Sequence, residues 1–201
     1  MPYPDRFYPV VDSVAWVARL ALLGAGTIQL RAKKLGEADA LQTVKDALDV
    51  ISGTRAKLVV NDYWRAAIEA GARHLHLGQE DLADADVAAI REAGLTLGIS
   101  THDDAELETA LAAKPDYVAL GPIFPTTLKS MRFAPQGIPK ITEWKKRVGE
   151  IPLVAIGGIK LEHASEIFAA GADSIAVVSD ITQNADADQR VRAWLGLKEA
   201  A

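Results

Sequence analysis

The chain has 201 residues, about half of them apolar, with 27 acidic against 22 basic side chains and no cysteine. That length supports one substantial core and the apolar share excludes a disordered chain; the net charge of −5 leans against a nucleic-acid binder. Without cysteine there is no disulfide framework, thiolate metal site or thiol nucleophile.

The opening MPYPDRFYPVVD lacks the basic-then-apolar pattern of a signal peptide. The most apolar early segment, SVAWVARLALLGAG, is interrupted by Arg19 and is too short to cross a bilayer. A soluble, cytoplasmic protein with no membrane partner is expected. Strands are predicted in chain order at FYPVVD (7–12), TIQLRA (27–32), KLVVND (57–62), HLHLG (74–78), LTLGIS (95–100), YVALGP (117–122), LVAIGG (153–158) and SIAVVS (174–179). Each is rich in Val, Ile and Leu, the composition of strands covered on both faces. Between them, ALQTVKDALDVIS, DADVAAIREAG, DAELETALAA and LEHASEIFAAG space apolar residues three and four apart, as helices do. Three helical stretches stop at Ala-Gly before a new strand, at Gly71, Gly94 and Gly171. Eight such βα units predict a parallel sheet closed into a single-domain (β/α)8 TIM barrel over residues 1–201. The rival is an open doubly wound sheet, whose G-x-G-x-x-G fingerprint is absent.

In a barrel the carboxyl ends of all strands share one mouth, where chemistry is built. Asn61-Asp62 closes the third strand and Gln79-Glu80-Asp81 follows the fourth. Helix capping accounts for either aspartate alone. Two carboxylates on neighbouring strands beside cations suit Mg²⁺ shared with substrate phosphates. On the second strand Gln29, Arg31 and Lys33 fall on one face and Leu30 and Ala32 on the other; the bland account of such cations is solvation. On the fifth, Thr96, Gly98 and Ser100 share a face, and their small size predicts space for a ligand. The long connection GPIFPTTLKSMRFAPQG offers Thr126, Thr127 and Lys129 to phosphate oxygens. IGGI and VVS end the last two strands, where barrels bind phosphate through backbone N–H groups; a tight turn explains the glycines equally well. His74 and His76 have a spacing compatible with zinc but no third ligand nearby, so packed, hydrogen-bonded histidines are expected. No Ser–His–Asp set or other general base stands out.

With these residues assembled, the chain resembles the thiamine-phosphate synthase (thiamine-phosphate pyrophosphorylase) family. The resemblance runs nearly end to end through YPVVDS, QLRAK, NDYWRAAI, HLGQEDL, GISTHD, YVALGPIFPT, APQG, VAIGGI and SIAVVS. It implies a (β/α)8 transferase that joins a hydroxymethylpyrimidine diphosphate to a hydroxyethylthiazole phosphate, releasing diphosphate and using Mg²⁺. Carried onto this sequence, it implies that Gln29, Arg31, Lys33 and Asn61 hold the pyrimidine diphosphate, with Leu30 and Ala32 in the same segment. It further implies that Asp62 and Asp81 hold Mg²⁺, that Ser100 contacts the pyrimidine, and that Lys129 reaches the diphosphate. Thr126, Gly158, Val178 and Ser179 would surround the thiazole phosphate. Arg31, Lys33, Lys129 and Ser100 are the implied catalytic set. The chain departs from the family's Thr-x-Thr-Lys at Thr126-Thr127-Leu128-Lys129, where leucine cannot supply the hydrogen bond of a threonine; Thr127 is the nearest substitute. Rival readings are a thiazole-phosphate isomerase on the same barrel, a sugar-phosphate isomerase or epimerase, and a non-catalytic thiamine-precursor sensor. A homo-oligomer is left open, since Trp16, Trp64, Trp144 and Trp194 each suit an interface or a core.

Overall fold

The computed structural model describes residues 3–126 and 133–197. Strand alternation sorts the apolar residues into two layers. On β1 (Phe7–Val11), Phe7 and Val11 join the large layer between strands and helices, while Tyr8 and Val10 fill the barrel interior. The same division recurs on β3 (Lys57–Asn61), β6 (Tyr117–Leu120), β7 (Leu153–Ile156) and β8 (Ser174–Val177), whereas β2 (Thr27–Leu30), β4 (His74–Leu77) and β5 (Thr96–Thr101) give apolar residues to the outer layer only and alternate them with Gln29, His76, Gly98 and Ser100. All neighbours are parallel, and β8 pairs with β1, so the eight strands close as a barrel in sequence order.

The helices are α1 (Val14–Leu23), α2 (Glu37–Val50), α3 (Trp64–Glu69), α4 (Gln79–Asp84), α5 (Val87–Glu92), α6 (Asp104–Ala112), α7 (Gly137–Val148), α8 (Ala164–Ala169), α9 (Ser179–Thr182) and α10 (Ala187–Leu195). The Ala-Gly stops are paired hydrogen bonds: after α3, Gly71 N–H donates to Ile68 O and Ala72 N–H to Ala67 O. The same pair of bonds ends α5 at Gly94 and α8 at Gly171, handing each helix's last carbonyls directly to the next strand.

The eight predicted strands are all present, most of them ending one or two residues early. The residues beyond each end leave the ladder and form the mouth; Asp62, for example, turns to φ 68°. The predicted helix over 84–94 is divided, with α4 ending at Asp84 and Asp86 capping α5 through Ala89 N–H at 2.9 Å. Helices as short as α4 and α9 carry too few turns for a periodic apolar stripe to announce them.

Trp144 and Trp194 are buried, and each indole N–H is paired, to Thr101 Oγ1 at 3.0 Å and to Asp180 Oδ2 at 2.8 Å. Trp16 and Trp64 pack against the helix layer while half-buried. Among the described residues no helix is long and apolar enough to cross a membrane.

Candidate active site

A cavity of about 560 Å³ opens at the carboxyl ends of the strands. Gln29, Arg31, Asn61, His76, Ser100, Thr126 and Val178 all line it. The Arg31 backbone N–H donates to Val11 O at 2.7 Å, which extends the β1–β2 pairing and keeps the side chain on the Gln29 face. Its guanidinium has no hydrogen bond or ion pair among the described residues, leaving five N–H donors for a ligand. Lys33 pairs with Asp62. Leu30 and Ala32 turn into the helix layer, as alternation requires, so a substrate role for either is confined to backbone. Thr127, Leu128 and Lys129 lie outside the described residues.

Asp62 caps nothing: the N-cap of α3 is Tyr63, with no side-chain capping bond. Asp62 occupies the left-handed region, which aspartate tolerates better than most residues, and its N–H donates to His76 O at 2.9 Å across to β4. Asp81 sits in the first turn of α4. Partial burial raises its pKa above the usual carboxylate value, and the Asp62 charge and a hydrogen bond between the two side chains raise it further. The two carboxylates therefore stand against one another, with Lys33 on Asp62 as the nearby cation. Beside them Asn61 is only 4% exposed and its Nδ2 has no partner among the described residues. An unpaired buried amide of this kind costs about 1–3 kcal/mol, a cost that a ligand oxygen would remove.

The opposite rim differs in kind. A recess of about 350 Å³ is bounded by Pro125, Thr126, Gly158, Lys160, Ser179 and Asn184, among others. Gly158 has φ 66°, and a Cβ there would lie 2.4 Å from Pro125 O, so only glycine lets the two loops meet. Asp180, on α9, also borders the recess, but its carboxylate is committed within the protein. It accepts from Arg190 Nε and Trp194 Nε1, each at 2.8 Å, and from Leu161 N–H at 3.2 Å, tying the loops after β7 and β8 to α10. Thr126 and Gln183 border both cavities, which are thus continuous neighbours.

One expectation fails below the mouth. The space predicted beside Gly98 is filled by Tyr117, whose ring carbon would lie 1.9 Å from an added Cβ. Glycine there admits a tyrosine of β6 and no ligand. The histidines are packed, as expected. His74 Nδ1 bonds Thr96 Oγ1 at 2.6 Å, and its ring stacks on Tyr3. His76 is held between Tyr117 OH at 2.9 Å and Ser100 Oγ at 2.8 Å. Burial pushes both rings down to about 4, so both are neutral at neutral pH. Tyr8 and Tyr117 were not among the predicted site residues, although their inward parity on β1 and β6 places them there. His102 also escaped notice: it lines the cavity, stacks on Phe133 and bonds Glu106 Oε2 at 2.7 Å. Glu106 caps the His102 backbone N–H as well, so this is in part a local i,i+4 turn.

The sequence matches the model of the thiamine monophosphate synthase family over residues 7–181. The chain belongs to that family. It is an enzyme, a transferase of the thiamine-phosphate synthase type. It is 54% identical to the thiamine-phosphate synthase of Rhizobium etli over 95% of this chain and 94% of that one. It is 50% identical to that of Cronobacter sakazakii, over 98% and 96% respectively. Among solved structures, the thiamine phosphate pyrophosphorylase from Pyrococcus furiosus superposes with a TM-score of 0.78 at 28% identity, covering 94% of this chain and 93% of that one. A 3-hexulose-6-phosphate synthase shares the fold, with a TM-score of 0.70 at 14% identity.

Proposed function

We propose that the chain joins hydroxymethylpyrimidine diphosphate to hydroxyethylthiazole phosphate, releasing diphosphate and forming thiamine phosphate in the thiamine biosynthetic route, with Mg²⁺ as its metal. The observation that carries this reading is the division of one mouth: over β2–β4 Arg31 lines the cavity and the Lys33–Asp62–Asp81 cluster stands beside it, and over β7–β8 lies a recess bordered by Gly158. Two anionic groups of different size are accommodated, one at each rim.

The donors present fit Mg²⁺. Asp62 and Asp81 offer hard oxygen donors already pressed together, and a divalent cation would relieve their repulsion. Among the described residues no group of three or more His, Cys, Asp or Glu could hold a metal ion. A carboxylate pair of this kind suits a cation that keeps water and shares phosphate oxygens. Bound there, Mg²⁺ would supply positive charge against the diphosphate oxygens.

In the proposed pathway the C–O bond to diphosphate breaks first, its electron pair leaving with the diphosphate. The electron-rich aminopyrimidine carries the resulting benzylic-type cation. Arg31 and Lys33 hold the departing anion as fixed charges in a partly dehydrated site, and Lys129 is assigned to the same task. The Asn61 amide donates to the same oxygens. The thiazole nitrogen then attacks with its lone pair and has no proton to lose, so orientation suffices. Thr126, Gly158, Val178 and Ser179 anchor the thiazole phosphate and aim the ring. This pathway requires no base, in accord with a His76 whose two nitrogens are both engaged. Electron-withdrawing groups on the pyrimidine are expected to slow turnover steeply, and an insensitive rate refutes cleavage ahead of attack.

The direct test supplies both phosphorylated precursors with Mg²⁺ and assays thiamine phosphate and diphosphate, with a chelator control. Isomerised thiazole phosphate with no diphosphate would favour the isomerase reading, and tight precursor binding without product would favour a sensor.

A further inference from the structure

Tyr3 enters the barrel from its amino end, opposite the mouth. Its ring stacks on His74 with centroids 4.5 Å apart, meets Tyr117 edge-on at 5.9 Å, and lies under Lys57 Nζ at 5.3 Å. His74, Tyr117 and Lys57 open β4, β6 and β3, so one side chain from outside the strands covers the starts of three of them. Tyr3 also packs against the inner cluster that contains Tyr8, Val59 and Tyr117.

The backbone behind this ring is strapped across the same end. Asp5 N–H donates to Thr27 Oγ1 at 3.1 Å, and Asp5 O accepts from Ser174 Oγ at 2.6 Å. Thr27 and Ser174 are both fully buried, so without the strap two hydroxyls would lose these partners inside the protein. A Cβ on Gly26 would lie 1.8 Å from Asp5 Oδ2, so glycine is what lets the strap cross the start of β2. Arg6 lies over the Phe168 ring at 3.6 Å and ties the strap to α8.

Tyr117 carries the contact toward the mouth through a line of hydrogen bonds. Gln29 Nε2 donates to Tyr8 OH at 2.7 Å, Tyr8 OH meets Tyr117 OH at 2.8 Å, and Tyr117 OH meets His76 Nδ1 at 2.9 Å. His76 Nε2 then meets Ser100 Oγ at 2.8 Å, and both residues line the mouth cavity. On the β5 side the Tyr117 ring lies over Gly98, which has no side chain to hold it. Tyr3 fills the space away from the mouth, into which the Tyr117 ring would otherwise tilt.

We propose that Tyr3 is a positioning residue for the active site at the far end of the barrel: it closes the amino end and holds the Tyr117 ring where its hydroxyl meets His76. The strap of residues 3–6 keeps Tyr3 in that place. The kinetic readout of this role rests on the function proposed above; the contact through Tyr117 to His76 does not.

Tyr3→Ala vacates a ring-sized space at the amino end. It should lower kcat about fivefold, the size of one aromatic edge contact, with KM for each substrate within about twofold. Added phenol should occupy that space and restore kcat in Tyr3→Ala, and Tyr3→Phe, which keeps the ring, should restore it without phenol. A Tyr3→Ala variant that unfolds at lower urea but keeps wild-type kcat makes Tyr3 merely structural and overturns the proposal. In a Tyr117→Phe background, where the hydroxyl link to His76 is gone, Tyr3→Ala should lower kcat less than about twofold further; full additivity overturns the route through Tyr117. ¹⁵N NMR of the ligand-free protein reads the same contact without substrate, with the His76 ring signals assigned by their loss in His76→Asn. They should shift in Tyr3→Ala and return with phenol, and unmoved His76 signals overturn the proposal. Failure of the wild type to form thiamine phosphate from the two precursors refutes the proposed function alone, because the His76 signals are read with no substrate present.

Discussion

The two rims of the mouth are built by different means. Over β2–β4 the rim is made of side chains: Arg31 and Asn61 line the cavity, and beside them Lys33 pairs with Asp62, which is crowded against Asp81. Over β7–β8 Gly158 lets two backbone segments approach closely, and the Asp180 carboxylate is tied to α10. The first rim stores repulsion that a metal and a diphosphate would relieve. At the second the Asp180 carboxylate is already satisfied by Arg190, Trp194 and Leu161. Under the proposed function a leaving group and an anchor make opposite demands, and each rim suits one of them.

The sharpest way to break this contrast is Asp81→Asn. It should lower kcat about 10³-fold, within the range for removing one electrostatic partner of a transition state, and raise the Mg²⁺ concentration needed for half-maximal rate. A carboxylate whose folded pKa is raised binds protons more readily in the fold, so it contributes instability that grows as pH rises above 3.8. The metal-free variant should therefore unfold at higher urea than wild type near neutral pH; a less stable variant would contradict the crowding of Asp62 and Asp81.

The opposite rim should respond in stability before chemistry. Asp180→Asn removes charge from a carboxylate that serves Arg190, Trp194 and Leu161, and should cost about 2 kcal/mol in urea unfolding. Gly158→Ala forces the loop away from Pro125 O. It should raise KM for the thiazole phosphate about tenfold, the worth of roughly one lost hydrogen bond, and leave KM for the pyrimidine diphosphate unchanged; a shift in the latter would merge the two rims. The smallest effect is expected at Glu162, whose pKa hydrogen bonds from Arg190 lower from 4.5 to about 2. Its contribution is present above pH 4.5 and lost as pH falls through about 2. Exposure limits it to about 0.3 kcal/mol, so Glu162→Gln should narrow the stability difference between about pH 5 and pH 2 by that much.

Periodicity made the barrel legible, because eight double-covered strands and Ala-Gly helix stops are local patterns. Gln29 against Leu30 was equally legible, since alternation assigns a strand residue's face from its position alone. Gly98 was misread for the complementary reason. A missing side chain announces that something approaches closely, but only the register of β5 against β6 says that Tyr117 is what arrives.

By itself the sequence determined the eight-fold beat, the single mouth and the residues that carry charge there, since each depends on neighbours within a few positions along the chain. Only the closed barrel decided that Asp62 and Asp81 press together and that five residues from five strands form one hydrogen-bonded line. These are contacts between residues as much as 109 positions apart. Their geometry is set by strand register and barrel closure, which no local pattern encodes.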